Sequence, residues 1–398
     1  MSELIEQQIR KIESIADAKN QELADRNHKR YKPLYSIAFK FLEAHCRKVL
    51  LYGGFALNAI LPNKLRFYAR TELPDLDIFS YDARTIAHKL SAVFTDAKFV
   101  SSVTPGLHDD TWKVIADGVQ IADFTQVSHE AFARLAKGSI KVHKSIRTVS
   151  REFLRLALHT VLSQPNDARL WEKNVRRLVA FYTAFPPKPS RSCRSKNHPP
   201  AVGANGKLDP TLVRYLMEFV RINGFVLFGM DIDRTSSPKE LQSKHLHGMI
   251  HVVVEQNPMD VAAVFKESAG DLTMVSSLMT SPHMGSYVLL LEPQSLKPWA
   301  CFVQAQTCLG YSDVHGFRIA SIHTVMRMYL SILLDGLDAH FDTRSMLCVA
   351  NVLSKQIMDS ITAGTHVKKD FTLTCYGPFD GIYTLRKKRY IKHVMMEK

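Results

Sequence analysis

The chain has 398 residues, of which 46% are hydrophobic, and this is enough for two or three domains with ordinary apolar cores. Its 52 lysines and arginines outnumber its 38 acidic residues, and the resulting formal charge of +14 favours a polyanionic partner such as nucleic acid. The six cysteines lack zinc-binding spacing, and no apolar stretch approaches the ~20 residues that span a bilayer, so we expect free thiols and no membrane association.

The N-terminus is the first predicted element. Residues 1–35 are mostly polar, and Ile5, Ile9, Ile12 and Leu23 recur on roughly one face, a pattern that predicts a helical segment. This segment has no apolar core like that of a signal peptide. We predict that the first domain follows it, over residues 36–184.

A glycine pair follows the first predicted strand. Residues 48–52 form a short apolar run, Gly53 and Gly54 end it, and residues 55–61 open a helical pattern. Since glycine has no Cβ, the pair permits a positive φ and close approach, so backbone amides at the helix start can face an anion. The pair is therefore a candidate triphosphate-binding turn, although a glycine pair taken alone is more often a plain turn.

Acidic residues mark two later predicted strands. In residues 73–80, Asp75 and Asp77 alternate with apolar neighbours, so they point to one face roughly 6–7 Å apart. Residues 119–124 repeat the strand pattern and contain Asp123, which completes the group if the two strands are adjacent. Three carboxylates can hold two Mg²⁺ or Mn²⁺ ions about 3.5–4 Å apart, the spacing of sites for phosphoryl or nucleotidyl transfer. The sequence therefore predicts an enzyme in which Asp75, Asp77 and Asp123 are metal ligands and catalytic residues.

This order of elements resembles the nucleotidyltransferase superfamily that includes DNA polymerase beta and the poly(A) polymerases. It is more specifically similar to the poly(A) polymerase catalytic subunits of large cytoplasmic DNA viruses of the poxvirus, asfarvirus and mimivirus types. The closer resemblance rests on residues 75–80, 121–125, 162–165, 169–173, 375–377 and 385–389. One departure is the separation between Gly54 and Asp75, which is longer than the superfamily usually has and implies an inserted loop with Arg66 and Arg70.

The resemblance implies mRNA polyadenylation, the template-independent addition of AMP from ATP to an RNA 3′ end. In that interpretation Asp75 and Asp77 bind both metal ions, and Asp123 ligates the ion that activates the 3′-hydroxyl. It also implies a homodimer or a separate processivity subunit, and a location in the cytoplasm of an infected host cell, with the virion as a second location. Two alternatives stay open: a nucleotidyltransferase of other base specificity, and a catalytically inactive RNA-binding subunit.

Basic residues are concentrated after Asp123. Lys144 and Arg147 belong to a run of lysines and arginines, and Arg169, Lys173 and Arg176 recur at i, i+4 and i+7 on one face of a predicted helix. These five are candidates for contacts with RNA or the triphosphate. A solvated basic face explains the same pattern equally well.

The second half of the chain echoes the first. Residues 185–207 are rich in proline, serine and basic residues and are predicted to be a flexible basic linker. In residues 208–398, the run 250–254 takes the place of the Asp-x-Asp strand and 300–304 that of the Asp123 strand, without the carboxylates. We therefore predict an α/β (α+β) protein with two tandem nucleotidyltransferase-like domains, each a mixed sheet flanked by helices. The first, with its helical extension, is catalytic and the second degenerate; two unrelated α/β domains are the alternative.

Overall fold

The computed structural model describes residues 3–69, 71–106, 110–187, 210–228, 249–365 and 371–379. The chain divides into two compact units, with the division between Ser150 and Arg151. The helices of residues 151–184 belong to the second of these units. Most of the predicted linker lies outside the described residues, and the predicted domain boundaries stay a prediction.

The first unit is built on one mixed sheet of seven strands in the order β3-β4-β5-β2-β1-β7-β6. Strands β2 and β5 run parallel, as do β1 and β7, and the other neighbours are antiparallel. The elements are α1 Glu3–Ala44, β1 Leu50–Tyr52, α2 Gly53–Ile60, β2 Leu76–Ser80, α3 Ala83–Asp96, β3 Ser101–Pro105, β4 Thr111–Ala116, β5 Val119–Gln126, α4 His129–Ala136, β6 Ile140–His143 and β7 Ile146–Thr148.

The two faces of this sheet differ in chemistry. Along β2, Leu76 and Ile78 are fully buried, whereas Asp77 and Phe79 point to the other face and are only partly buried. Since side chains alternate along a strand, one face forms the apolar core and the other is left for polar groups. Helix α3 is amphipathic and supplies Ile86, Leu90 and Phe94 to the core.

Helix α1 is longer than the predicted segment of residues 1–35, because it continues to Ala44. Its last turns bury Leu34, Ala38 and Leu42, which recur every four residues and so share one face. This buried face is the part of the helix that belongs to the domain core. The predicted helical segment and the start of the predicted domain thus lie on a single continuous helix.

The second unit contains a second mixed sheet in the order β10-β12-β13-β9-β8-β15-β14-β16, with β11 paired to β12. Its helices are α5 Arg151–Leu162, α6 Trp171–Ala184, α7 Pro210–Asn223, α8 Pro258–Ala269, α9 Ile322–Asp335 and α10 Thr343–Thr362. Its strands are β8 Val226–Phe228, β9 Ile250–Val254, β10 Met274–Val275, β11 Met279–Ser281, β12 Gly285–Leu291, β13 Pro298–Gln304, β14 Leu309–Val314, β15 Phe317–Ala320 and β16 Cys375–Tyr376.

The central strands of the two sheets follow the same plan. Strand β8 is antiparallel to β9 and parallel to β15, just as β1 is antiparallel to β2 and parallel to β7. Strand β9 is parallel to β13, just as β2 is parallel to β5. The predicted fold class, two mixed sheets flanked by helices with one plan repeated, is confirmed.

The repeat can be followed residue by residue through the strand registers. In the first sheet Tyr52 pairs with Asp77, which pairs with Asp123. The same path in the second sheet runs from Phe228 to His251 and on to Cys301. The positions of two predicted metal ligands are thus held by a buried histidine and a buried cysteine.

The environment of His251 is apolar. Its ring lies 4.8 Å from that of Phe228 and 6.0 Å from that of Phe341, and within the described residues neither ring nitrogen has a hydrogen-bond partner. Burial alone lowers the pKa of His251 to about 3, because the charged form loses its hydration. The acidic group of the first unit is therefore replaced by an aromatic core in the second.

One expectation from the cysteines is wrong. Cys308 and Cys375, which are 67 residues apart, form a disulfide that joins the residue before β14 to β16, whereas the sequence predicted free thiols. Cys46 and Cys301 are free, as predicted. Among the described residues, no helix is both long and apolar enough to cross a lipid bilayer.

Candidate active site

The three predicted carboxylates converge on the open face of the first sheet. Asp77 and Asp123 are direct register partners on the parallel strands β2 and β5, and Asp75 lies immediately before β2 on the same face. One oxygen from each of Asp75, Asp77 and Asp123 lies within 4.8 Å of the others. The strand adjacency that the sequence could only assume is therefore present, and it brings three oxygen ligands to one point.

The glycine turn lies directly against this group. Gly53 has φ +69°, a left-handed conformation that L side chains rarely adopt. A Cβ built on Gly53 would stand 2.0 Å from Oδ2 of Asp77, so no other residue fits there without displacing the carboxylate. Gly53 and Gly54 are also the first two residues of α2, which places the amino end of that helix beside the acids.

Two polar side chains connect the carboxylates. Gln120 Nε2 donates to Oδ2 of Asp75 at 3.1 Å and to Oδ1 of Asp123 at 3.0 Å. Lys113 Nζ donates to Oδ2 of Asp123 at 3.0 Å and to Oε1 of Gln120 at 2.8 Å. The ammonium group offsets part of the repulsion among the acids, and the amide holds two of them in a fixed relation.

Hydroxyl groups line the same face beyond the acids. Tyr52 OH lies 2.9 Å from Oγ1 of Thr125, which lies 3.1 Å from Oγ1 of Thr111. The Tyr52 ring stacks on Phe79 with centroids 3.8 Å apart. Burial raises the pKa of Tyr52, and the negative charge of Asp77 raises it further, so the phenol stays protonated and acts as a neutral hydrogen-bonding group.

The long loop between Gly54 and Asp75 is held from both sides. Asn58 Oδ1 on α2 accepts from the backbone N–H groups of Phe67 and Tyr68 at 2.9 and 3.2 Å. Tyr35 OH on α1 donates to the carbonyl of Leu73 at 2.7 Å, two residues before Asp75. The described part of the predicted insertion therefore follows α2 and is fixed at its end by the N-terminal helix, and Arg70 lies outside the described residues.

Comparison with known proteins identifies this segment. Residues 37–168, which include the glycine pair and all three carboxylates, match the family model described as poly(A) polymerase catalytic subunit. Over this segment the chain is therefore similar to the poly(A) polymerase catalytic subunits. The resemblance and the enzyme class, a poly(A) polymerase, were both predicted from the motifs and are confirmed. No curated protein sequence matches the chain.

A solved structure has the same fold along the whole chain. The crystal structure of the Megavirus polyadenylate synthase matches with a TM-score of 0.75 and 14% sequence identity. The match covers 100% of this chain and 84% of the Megavirus chain. At this identity the comparison establishes the architecture, including both mixed sheets, and leaves the chemistry to the residues of this chain.

The five predicted basic residues of this chain do not form one cluster in the first unit. Lys144 donates to Glu43 on α1 at 3.1 Å, and Arg147 donates to Oγ of Ser139 at 3.4 Å. Neither is among the side chains that hold the carboxylates. Their role in binding RNA or triphosphate stays a prediction.

The other three basic residues belong to the second unit. Arg176 pairs with Glu172 at 2.6 Å, where both side chains are 79% exposed, and Arg169 and Lys173 are also exposed. Such surface pairs contribute little to stability, typically about 0–1 kcal/mol. The three residues are accessible to a ligand, and their function likewise stays a prediction.

Sequence reasoning missed Lys113 and Gln120. Lys113 faces Asp123 only through the register of β4 against β5, and Gln120 reaches the same face where that register shifts between Val114 and Ile115. A regular strand would turn residues three apart to opposite faces. The available signal was the position of Lys113 between the apolar Trp112 and Val114, and it needed the strand pairing to be interpreted.

Proposed function

We propose that this chain is a metal-dependent poly(A) polymerase that transfers AMP from ATP to the 3′ end of an RNA. The observation that carries the proposal is the convergence of Asp75, Asp77 and Asp123 within 4.8 Å, inside the segment that matches the catalytic family. A likeness to the Megavirus polyadenylate synthase in fold supports the same class of reaction. The likeness also favours a viral origin.

The donor set fits hard divalent cations. All three ligands are carboxylates, and oxygen donors of this kind suit Mg²⁺ and Mn²⁺ better than softer metals. Asp77 and Asp123 sit on adjacent strands and Asp75 is the more exposed member, so these side chains would hold two ions at the open face. Bound there, the ions would lower the pKa of the attacking hydroxyl and offset charge that develops on the transferring phosphate.

The protein itself supplies alignment for the transfer. In the reaction the RNA 3′-hydroxyl gives up its proton to water and its oxygen forms a bond to the α-phosphorus of ATP, while the bond from that phosphorus to the bridging oxygen breaks and pyrophosphate leaves with the electron pair. Gly53 presents bare backbone beside Asp77, so phosphate oxygens can approach the amides at the start of α2. Gln120 and Lys113 fix Asp75 and Asp123, which keeps the ligand oxygens in position before substrate arrives.

The test is nucleotide addition to an oligo(A) RNA with Mg²⁺ or Mn²⁺ and each of the four nucleoside triphosphates in turn. We expect tail growth with ATP and loss of at least a thousandfold in rate for Asp77→Asn, a change of about 4 kcal/mol in transition-state stabilisation. Asp96→Asn, at an exposed carboxylate on α3, is the matched control and should keep full activity.

Each alternative has its own result in this assay. Growth with another triphosphate in preference to ATP would indicate a nucleotidyltransferase of different base specificity. No growth with any triphosphate, for a protein that still binds RNA, would indicate an inactive RNA-binding subunit. The mass of the chain in solution shows whether it forms a homodimer. Low processivity of the chain alone would indicate a separate processivity subunit.

A further inference from the structure

The first unit contains a cavity that the proposed reaction does not use. It has a volume of about 250 Å³ and lies between α1, α2 and the β6–β7 hairpin. Its floor includes Leu51, which pairs with Ile78 on the helix-covered face, whereas Tyr52 and Asp77 form the next register pair and point to the opposite face. The cavity and the three carboxylates are therefore on opposite sides of the same sheet.

Aromatic rings form much of the cavity wall. Phe39 lies 5.5 Å from Phe55 at an interplanar angle of 47°, and 6.0 Å from the ring of His143 at 62°. These tilted and edge-on pairs leave ring surface that a flat ligand can contact, which a face-to-face stack would not. Phe39 is the central member, since it contacts both other rings.

The size of the cavity restricts the ligand. Pockets for drug-sized ligands usually have volumes of about 300–1,000 Å³, and this cavity lies just below that range. A single planar heterocycle fits such a volume, whereas a complete nucleoside triphosphate with its hydrated charges does not. The wall and the volume together favour one nucleobase.

The rim of the cavity is basic. Arg66 lines it with an exposed side chain whose Nε donates to the carbonyl of Leu61 at 3.3 Å. His143 also lines it, and Lys144 follows His143 in the chain; these two side chains are 55% and 65% exposed and lie 3.3 and 3.1 Å from the carboxylate of Glu43. Among these side chains Arg66 and Lys144 are cationic and Glu43 is anionic, and Lys144 is paired with Glu43, so Arg66 is the cation available to a phosphate that flanks a base.

We propose that this cavity binds one unpaired base of the RNA strand, with Arg66 at an adjacent phosphate. Aromatic faces beside a basic rim are the usual elements of a site for single-stranded nucleic acid. The site would hold RNA at a distance from the reacting 3′ end, because it lies on the opposite face of the sheet. The inference rests on the proposed function only in taking RNA as the substrate.

The experiment measures RNA binding without catalysis, in EDTA, so that failure of the proposed transferase activity cannot mimic failure of this site. The probe is oligo(A) of about 15 nucleotides, within the size range of such sites, with 2-aminopurine at one internal position in each of a series. We expect the fluorescence of at least one position to change on binding. Phe39→Leu should remove that change and weaken binding about tenfold, which corresponds to about 1.4 kcal/mol.

Arg66→Gln tests the rim separately. It should weaken binding and reduce the slope of log affinity against log salt by about one, as expected when one phosphate contact is lost. Tyr215→Leu, at a 45% exposed aromatic on α7, is the matched control and should change neither quantity. Circular dichroism and Tm establish that each variant is folded.

Two results would overturn the proposal. One is a folded Phe39→Leu protein that binds the labelled RNA with the affinity and fluorescence change of the parent. The other is free AMP binding that depends on Phe39 while RNA binding does not, since the cavity would then be a site for a mononucleotide.

Discussion

Oδ2 of Asp77 occupies the space that a side chain on Gly53 would need, at 2.0 Å from the Cβ position. The relationship joins the two motifs that the sequence presents separately, the glycine pair and the Asp-x-Asp strand. The position of the turn and that of the Asp77 carboxylate therefore depend on each other, because each occupies space next to the other.

Gly53→Ala should therefore reduce AMP transfer by at least a hundredfold, because the new methyl group displaces the Asp77 carboxylate. Gly118→Ala is the matched control, since Gly118 has φ +78° and nothing within 4 Å of its Cβ position. Both variants carry similar backbone strain, about 1–2 kcal/mol, and only the first has the clash. Equal loss of activity in the two variants would show that the clash is unimportant.

Lys113→Met should lower activity at least tenfold and raise the Mg²⁺ concentration needed for half-maximal rate, because Asp123 loses the group that positions it. Lys113→Arg should recover part of both, since a guanidinium keeps the charge and can donate to the same oxygen. Lys48→Met removes a more exposed pair with Asp82 at 3.5 Å and serves as the control. Direct Mn²⁺ titration of each variant separates metal binding from turnover, and unchanged Mn²⁺ affinity in Lys113→Met would count against a positioning role.

The second unit should lose stability in acid through His251. Its folded-state pKa of about 3 lies below the ordinary value of 6.5, so the unfolded chain takes up a proton that the folded chain excludes. The stabilisation is complete above about pH 6.5 and is lost progressively as the pH falls toward 3, by about 2 kcal/mol at pH 5. His251→Phe should show a smaller fall in Tm between pH 7.5 and pH 5 than the parent.

His159 is also buried, and burial together with neighbouring His323 and Arg155 lowers its pKa well below 6.5. It therefore contributes acid sensitivity in the same direction in both proteins. The difference in Tm between the parent and His251→Phe isolates the contribution of His251 to the pH dependence. Parallel plots of Tm against pH for the two proteins would show that His251 does not contribute.

Tyr182→Phe should destabilise the second unit by about 1–3 kcal/mol. The hydroxyl lies 2.8 Å from Nε2 of His159, 2.8 Å from Oγ of Ser354 and 3.0 Å from Nε of Arg155, so its removal takes a hydrogen-bond partner from each of them, including the fully buried His159. Urea unfolding followed by circular dichroism measures the change. Tyr215→Phe, at an exposed position of α7, should leave the midpoint unchanged, and a similar shift in both variants would point to a general loss of tyrosine packing.

The motifs of this site were predictable because they depend on local order. Gly53, Asp75, Asp77 and Asp123 each end or occupy a short apolar run, and the succession of those runs is typical of one superfamily. The neighbours Lys113 and Gln120 were not predictable, because their positions depend on strand register and on one irregularity in it. Alternation along a strand gives the face of a residue but not the residue opposite to it.

Long-range pairings were the other source of error. Cys308 and Cys375 meet only because β14 and β16 are neighbours, and β16 is two residues long, too short for its pattern to be recognised. Lys144 meets Glu43 only because α1 continues past the predicted segment. The repeat of the fold was easier to predict, since the apolar runs of β8, β9 and β13 keep the order of β1, β2 and β5.

In the second sheet, His251 and Cys301 stand where the first sheet has Asp77 and Asp123. The first sheet has to hold grouped carboxylates, and the second only has to form a stable core. Repulsion among the three carboxylates therefore occurs in the first unit and not at the equivalent positions of the second. Added salt screens this repulsion. The melting temperature of the first unit should therefore respond to ionic strength and to divalent salts more than that of the second unit. The first sheet therefore tolerates repulsion among its carboxylates, whereas the two equivalent positions of the second sheet carry no acidic side chain.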